Sequence, residues 1–121
     1  MPKILLADDS PSMRLLLRAQ LECLSVDLLE AADGPAALEL ARSEHPRIAV
    51  LDFDLPKLNA FEVCTRLKAE ESTRDISVFI LTESGEQDVQ GYAFGAGADY
   101  FFAKAWGTRA LAQMLADVLS R

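Results

Sequence analysis

Histidine is nearly absent from this chain. The single one, His45, precedes Pro46 in a polar connection, so no Ser–His or Cys–His nucleophilic machinery is available. Cysteine is scarce as well: Cys23 and Cys64 are the only two. Both fall in predicted helices without metal-ligand spacing and read as reduced core thiols. No apolar run approaches the ~20 residues of a membrane helix, and no basic stretch or signal-type cleavage site follows Met1. Basic residues are outnumbered, 12 Lys and Arg against 19 Asp and Glu, for a formal charge of −7. That balance argues against nucleic acid and anionic membranes as partners and leaves basic or apolar protein surfaces open. Linkers, repeats and low-complexity segments are also lacking. The expectation is one cytoplasmic domain spanning residues 1–121.

Five short apolar runs alternate with five helical patterns. The runs are Lys3 to Ala7, Val26 to Ala31, Ile48 to Asp52, Ser77 to Leu81 and Asp99 to Phe102. All but the second are almost continuously apolar, as strands buried on both faces are. The first helix has Ser10 as cap and Pro11 at its first position, then Met13, Leu16, Leu17, Leu21 and Leu24 on one face. Asp33-Gly34-Pro35 starts the second, which runs to about Ser43. Asn59-Ala60-Phe61-Glu62 has the spacing of a capping box for the third. The fourth begins after Ser84, carries Gly91 inside it and ends at Gly95 or Gly97. Thr108 caps the fifth, whose stripe is Leu111, Met114, Leu115, Val118 and Leu119. Strict alternation predicts a doubly wound α/β fold, with a five-stranded parallel sheet and helices on both faces.

Asp8 and Asp9 follow the first run and Asp52 closes the third. Open α/β sheets bind ligands outside the carboxyl ends of their strands. Carboxylates gathered there repel by about 4 kcal/mol per pair at 4 Å and an effective dielectric near 20. A cation among them, a proton on one of them, or separation would relieve this. Mg²⁺ is the natural cation, since it takes one or two carboxylates plus phosphate oxygens. Asp52 then reads as a nucleophilic carboxylate that becomes an acyl phosphate, against the plainer reading of a polar residue that ends a buried strand. Thr82 follows the fourth run, where its hydroxyl can donate to a phosphoryl oxygen. Lys104 follows the fifth, in an otherwise apolar stretch, and is either a point charge for phosphate or a partner of Asp52 before phosphorylation, against the plainer reading of a snorkelling surface lysine.

Together, Asp8-Asp9, Val50-Leu51-Asp52, Leu55-Pro56, Thr82, Gly97-Ala98-Asp99 and Lys104 resemble the receiver domain of bacterial two-component response regulators. The separations from Asp52 to Thr82 and from Thr82 to Lys104 are those of the family. The resemblance covers essentially the whole chain and implies a flavodoxin-like strand order 2-1-3-4-5. It implies that Asp52 is the phosphoacceptor. Asp9 would ligate Mg²⁺ directly, Asp8 mostly through water, and Asp54 through its backbone carbonyl. Thr82 and Lys104 would hold the phosphoryl oxygens. Thr82 and Phe101 would form a switch, the threonine moving toward the phosphoryl group and the ring turning inward. The surface of the fourth helix, fifth strand and fifth helix would then change shape for a downstream protein target. The donor would be a sensor histidine kinase or a histidine phosphotransfer protein. Such a domain is not a conventional enzyme, since it catalyses only its own aspartyl phosphorylation and dephosphorylation.

Several positions depart from that pattern. Glu83 stands where a small residue is usual and points either into the site or to solvent. Ala105 replaces the usual proline after the lysine, and a cis bond before a non-proline costs about 3–4 kcal/mol, so Lys104–Ala105 is expected to be trans. Asn59-Ala60 replaces Asp-Gly. Asp54 and Ser84 occupy positions that tune acyl-phosphate hydrolysis. Trp106 is either core or an aromatic anchor for a partner. Two other functions compete. A pseudo-receiver would bind a partner constitutively, yet Asp8, Asp9, Asp52, Thr82 and Lys104 are all present. An Asp-nucleophile phosphatase would share the Asp52-Phe53-Asp54 spacing but carries its nucleophile on the first strand.

Overall fold

The computed structural model describes residues 1–83 and 95–121. Five strands, β1 (Lys3–Ala7), β2 (Asp27–Ala31), β3 (Ile48–Asp52), β4 (Ser77–Thr82) and β5 (Tyr100–Ala103), form one parallel sheet in the order β2-β1-β3-β4-β5. Among the described residues the helices are α1 (Pro11–Leu21), α2 (Gly34–Glu44), α3 (Ala60–Ala69) and α4 (Thr108–Leu119), with a 3₁₀ turn at Lys104–Trp106. The fourth helix expected from sequence falls mainly on residues 84–94, outside the described residues. The expected strand order and fold class stand.

Because a strand's side chains alternate between faces, the continuously apolar strands feed two separate cores. Leu5, Ala7, Ala49, Leu51, Val78 and Ile80 pack on the face that α2 and α3 cover. Ile4, Leu6, Ile48, Val50, Phe79 and Leu81 pack on the other, with Leu17 and Leu21 of α1 and Leu111 and Leu115 of α4. Among the described residues the sheet is thus covered by helices on both sides.

The helix starts follow their caps. Ser10 Oγ accepts from the Met13 N–H at 3.2 Å and Asp33 Oδ1 from the Ala36 N–H at 2.8 Å. Asn59 and Glu62 exchange both capping-box bonds, at 3.0 and 3.3 Å. Three expectations are corrected. Thr108 is the first residue of α4 rather than its cap; Gly107, with φ 96°, holds the cap position and supplies no side-chain bond. Leu16 is 56% exposed, because α1 turns only a narrow stripe, Leu17 and Leu21, fully into the core. Cys23 lies in the turn after α1 and is exposed, whereas Cys64 is buried in α3 and burial pushes its thiol up to about 11.

Gly97-Ala98-Asp99 has a structural task. Gly97 turns the chain at φ 94°. Asp99 Oδ2 then accepts from the Val78 N–H and from Lys68 Nζ, each at 2.8 Å, which fixes the start of β5 against β4.

Candidate functional site

Parallel strands end at the same rim, so the order of the sheet decides what meets there. Asp8 follows β1, Asp52 ends β3, Thr82 ends β4, and Lys104 opens the 3₁₀ turn after β5. The register pairs Ala7 with Leu51, Asp52 with Leu81 and Thr82 with Ala103. Residues from both ends of the chain are thereby brought within bonding distance. Lys104 Nζ lies 3.1 Å from Asp52 Oδ1 and 3.2 Å from Asp8 Oδ2. The Lys104 side chain is 16% exposed, that of Asp52 5%, and that of Asp8 not at all. Lys104 is therefore the buried counter-ion of the acidic rim and not a snorkelling surface lysine. The Lys104–Ala105 bond is trans, as expected.

Backbone contacts aim the carboxylates. The Asp8 N–H donates to the Ala31 carbonyl at 3.0 Å, and Asp8 Oδ1 accepts from the Ser10 N–H at 2.9 Å. The Phe53 N–H donates to the Leu81 carbonyl at 2.7 Å, which holds the chain just beyond Asp52 against β4. Asp54 is exposed in the turn that follows, and its backbone N–H reaches the Asp52 carboxylate. Arg14 is a participant that sequence reading missed. Its guanidinium donates to the Asp8 carbonyl and pairs with Glu30 on β2 at 3.2 Å. The signal was available: Arg14 and Arg18 stand one turn apart on α1, and Arg18 meets the same Glu30.

Burial pushes the Asp52 carboxyl above its ordinary value, and the neighbouring Asp8 charge pushes the same way, against Lys104 and the Asp54 N–H. Burial pulls the Lys104 ammonium down, but the Asp52 and Asp8 charges more than reverse this, leaving it above the ordinary lysine value. The directions agree physically: the lysine faces several anions, while the aspartate faces one cation, one anion and a dry wall.

One carboxylate oxygen each from Asp8, Asp9 and Asp52 all lie within 4.8 Å of one another. Asp8 Oδ2 is fully buried, and apart from the Lys104 ammonium 3.2 Å away it has no hydrogen-bond partner. An acceptor left unsatisfied in such a place is costly unless a cation serves it. Exclusively oxygen donors suit a hard divalent ion, so the residues present fit the metal expected from the sequence.

The remaining candidates lie around this core. Thr82 is buried at the strand end. The Phe101 side chain is buried. Trp106 is 57% exposed and packs edge-on against Phe102 at 5.0 Å, so it is not core. Glu83 is exposed, yet its Oε1 lies 3.4 Å from Lys104 Nζ. Ser84 lies outside the described residues.

A metal-free stability effect follows from Asp52. Its raised pKa means the folded state holds this proton more tightly than the unfolded chain. The stability it contributes is complete below the unfolded value near 3.8 and is lost as pH rises through the higher folded value. Asp52→Asn is expected to raise metal-free stability at pH 7 by on the order of 1 kcal/mol, with a smaller gain at pH 4. Urea unfolding in chelator at the two pH values checks this; an equal or larger gain at pH 4 contradicts it.

Comparison with known proteins agrees with this architecture. The family model described as response regulator receiver domain matches residues 4–116. The chain is 37% identical over 118 residues to the DNA-binding dual master transcriptional regulator RpaA of Synechocystis sp., covering 98% of this chain and 48% of that protein. It is 34% identical to the alkaline phosphatase synthesis transcriptional regulatory protein PhoP of Bacillus subtilis, covering 98% and 49%. Among solved structures, a putative response regulator from Chloroflexus aurantiacus matches with a TM-score of 0.91 at 24% identity over the whole of both chains. The manganese-bound form of response regulator Rcp1 matches with a TM-score of 0.83 at 25% identity, covering 99% of this chain and 93% of that one. The chain belongs to the receiver-domain family of two-component response regulators. It spans about half the length of the curated relatives it matches. No helix of the described residues is long and apolar enough to cross a membrane.

Proposed function

We propose that residues 1–121 act as one cytoplasmic receiver unit that accepts a phosphoryl group on Asp52. The observation that carries this reading is the buried contact of one ammonium with two carboxylates at the sheet rim, beside a third carboxylate. The donor is a phosphohistidine on a sensor kinase or phosphotransfer protein. An Asp52 carboxylate oxygen forms the new O–P bond while the N–P bond of phosphohistidine breaks. The electron pair returns to the imidazole nitrogen, which takes up a proton. Lys104 donates to a phosphoryl oxygen through its ammonium and Thr82 through its hydroxyl, which offsets charge where it accumulates.

Mg²⁺ is the proposed ion, with Asp9 as direct ligand, Asp8 mostly through water, Asp52, and the Asp54 backbone carbonyl; when bound, it neutralises charge on the transferred group. The manganese-bound form of the structural neighbour response regulator Rcp1 supports a divalent ion. Asp54 orients or repels the water that later hydrolyses the acyl phosphate, with Glu83 and Ser84 as further tuning positions. The output is a population shift: phosphoryl contacts at Thr82 exist in one state only, and Phe101 and the surface along β5 and α4 follow. The recipient is a protein, since a formal charge of −7 makes this domain's own surface a poor match for nucleic acid.

The test is backbone NMR with Mg²⁺ and beryllium fluoride, which together stand in for the phosphoryl group. Shifts centred on Asp52, Thr82 and Phe101 are expected in the wild type and none in Asp52→Asn. Absence of any Mg²⁺-dependent change in the wild type would replace this reading with a constitutive partner-binding domain.

A further inference from the structure

We infer that Glu83 is a charge gate on Lys104 that selects among phosphoryl donors by their charge. The inference rests on the phosphoacceptor reading and specifies which donors the site admits.

A lysine ammonium has three hydrogens to donate. Here it faces three carboxylates: Asp52 at 3.1 Å, Asp8 at 3.2 Å and Glu83 at 3.4 Å. The three differ in mobility. Asp8 and Asp52 are buried at strand ends and tied to backbone groups. The Glu83 side chain is 75% exposed and reaches Lys104 from the solvent side. A phosphoryl oxygen that approaches Lys104 must take a donor now facing a carboxylate, and Glu83 is the one of the three free to leave. Glu83 therefore occupies the approach to the ammonium until a donor displaces it.

Charge makes this placement selective. Asp8, Asp9 and Asp52 are balanced by Lys104 and one divalent ion. Glu83 adds a negative charge that none of these groups offsets. A small, free dianion meets that charge with only the contacts of the rim itself to hold it. A donor with less negative charge is repelled less, and a phosphohistidine presented by a docked protein brings contact energy from elsewhere on its surface. The gate thus suppresses phosphorylation by small acyl phosphates while leaving protein donors effective. Because Glu83 is exposed, ionic strength screens its effect.

The experiment compares acetyl phosphate, predominantly a dianion at neutral pH, with phosphoramidate, which carries one less net negative charge, on wild type and Glu83→Gln with Mg²⁺. Glutamine keeps the size of the side chain and removes its charge. Asp52 phosphorylation by acetyl phosphate is expected to accelerate roughly five- to twentyfold in Glu83→Gln, and phosphorylation by phosphoramidate by less than about threefold. Raising the salt concentration should narrow the acetyl phosphate difference. A readout independent of phosphorylation is the Lys104 side-chain NMR signal, which should shift in Glu83→Gln without any donor. Equal acceleration of both donors, no acceleration, or a difference that persists in high salt overturns the charge gate while leaving the acceptor reading intact. If neither donor phosphorylates wild type or Glu83→Gln, while the NMR signal still shows the Lys104 contact, the acceptor reading fails and the gate falls with it.

Discussion

Replacing Lys104 with methionine is expected to lower metal-free stability at neutral pH by about 3–5 kcal/mol, the usual cost of removing one partner from a buried ion pair. Methionine preserves much of the apolar stem but leaves Asp8 and Asp52 facing one another without the ammonium that contacts both. The Asp8 side chain is wholly buried, and the ammonium is the one group beside its Oδ2, so the loss leaves that oxygen without a partner. Three further outcomes identify the cause as charge. The deficit should shrink as pH falls and a carboxylate takes up a proton. Mg²⁺ should recover part of it, because an ion that binds only the folded state contributes about 2.7 kcal/mol at a hundred times its dissociation constant. Adding Asp52→Asn should recover a further part, as removing the second charge lessens the need for the first. Urea titrations of the single and double variants with and without Mg²⁺ measure all three. A loss below about 1 kcal/mol, the range of exposed pairs, would show that the lysine is not the counter-ion of the rim. The same variant should also lose phosphorylation-dependent switching, because the ammonium that holds a phosphoryl oxygen is gone.

Asp8, Asp52, Thr82 and Lys104 were legible in the sequence for a topological reason. A chain that alternates strand and helix places every strand's carboxyl end at one rim, so polar residues that terminate apolar runs converge whatever their separation in sequence. Side-chain direction at the surface was less legible. Glu83 immediately follows β4, where alternation no longer dictates a face, and it adopts a position intermediate between the two readings: exposed, with its carboxylate turned to Lys104. Leu16 fits the apolar stripe of α1 by periodicity, yet the core on that face of the sheet is filled from α1 by Leu17 and Leu21. Thr108 has the chemistry of a cap, but the preceding glycine takes the cap position at φ 96°, a conformation a threonine would adopt only under strain. The spacing of Arg14 and Arg18 on α1 marks a shared acidic partner, Glu30, but the second target of Arg14, the Asp8 backbone carbonyl, leaves no trace in side-chain spacing.

Gly34→Ala is expected to destabilise the fold by about 3 kcal/mol, the upper part of the range for overpacking. The reason lies in a contact between two backbones. A Cβ on residue 34 would stand 2.1 Å from the Leu58 carbonyl oxygen, 2.4 Å from Leu58 Cβ and 2.8 Å from its carbonyl carbon. A side chain could rotate away from such an overlap, but a carbonyl can move only with its chain. That chain is the loop leading from Asp52 to α3, held in place by the Gly34 N–H, which donates to the Pro56 carbonyl at 3.1 Å. The loop already has Lys57 in the left-handed region at φ 71°, so it has little freedom to retreat. Relief must come from shifting the start of α2 or the loop, and a loop shift would disturb the Asp54 N–H beside Asp52. Mg²⁺ affinity should therefore fall together with stability, although Gly34 touches neither the ion nor the carboxylates. Urea unfolding and Mg²⁺ titration of the variant test the two effects. Wild-type stability with wild-type affinity would mean that the loop yields freely and does not position the acidic rim. Leu58→Gly added to Gly34→Ala should restore only a fraction of the loss, because it removes the Cβ overlap and leaves the closer carbonyl oxygen in place.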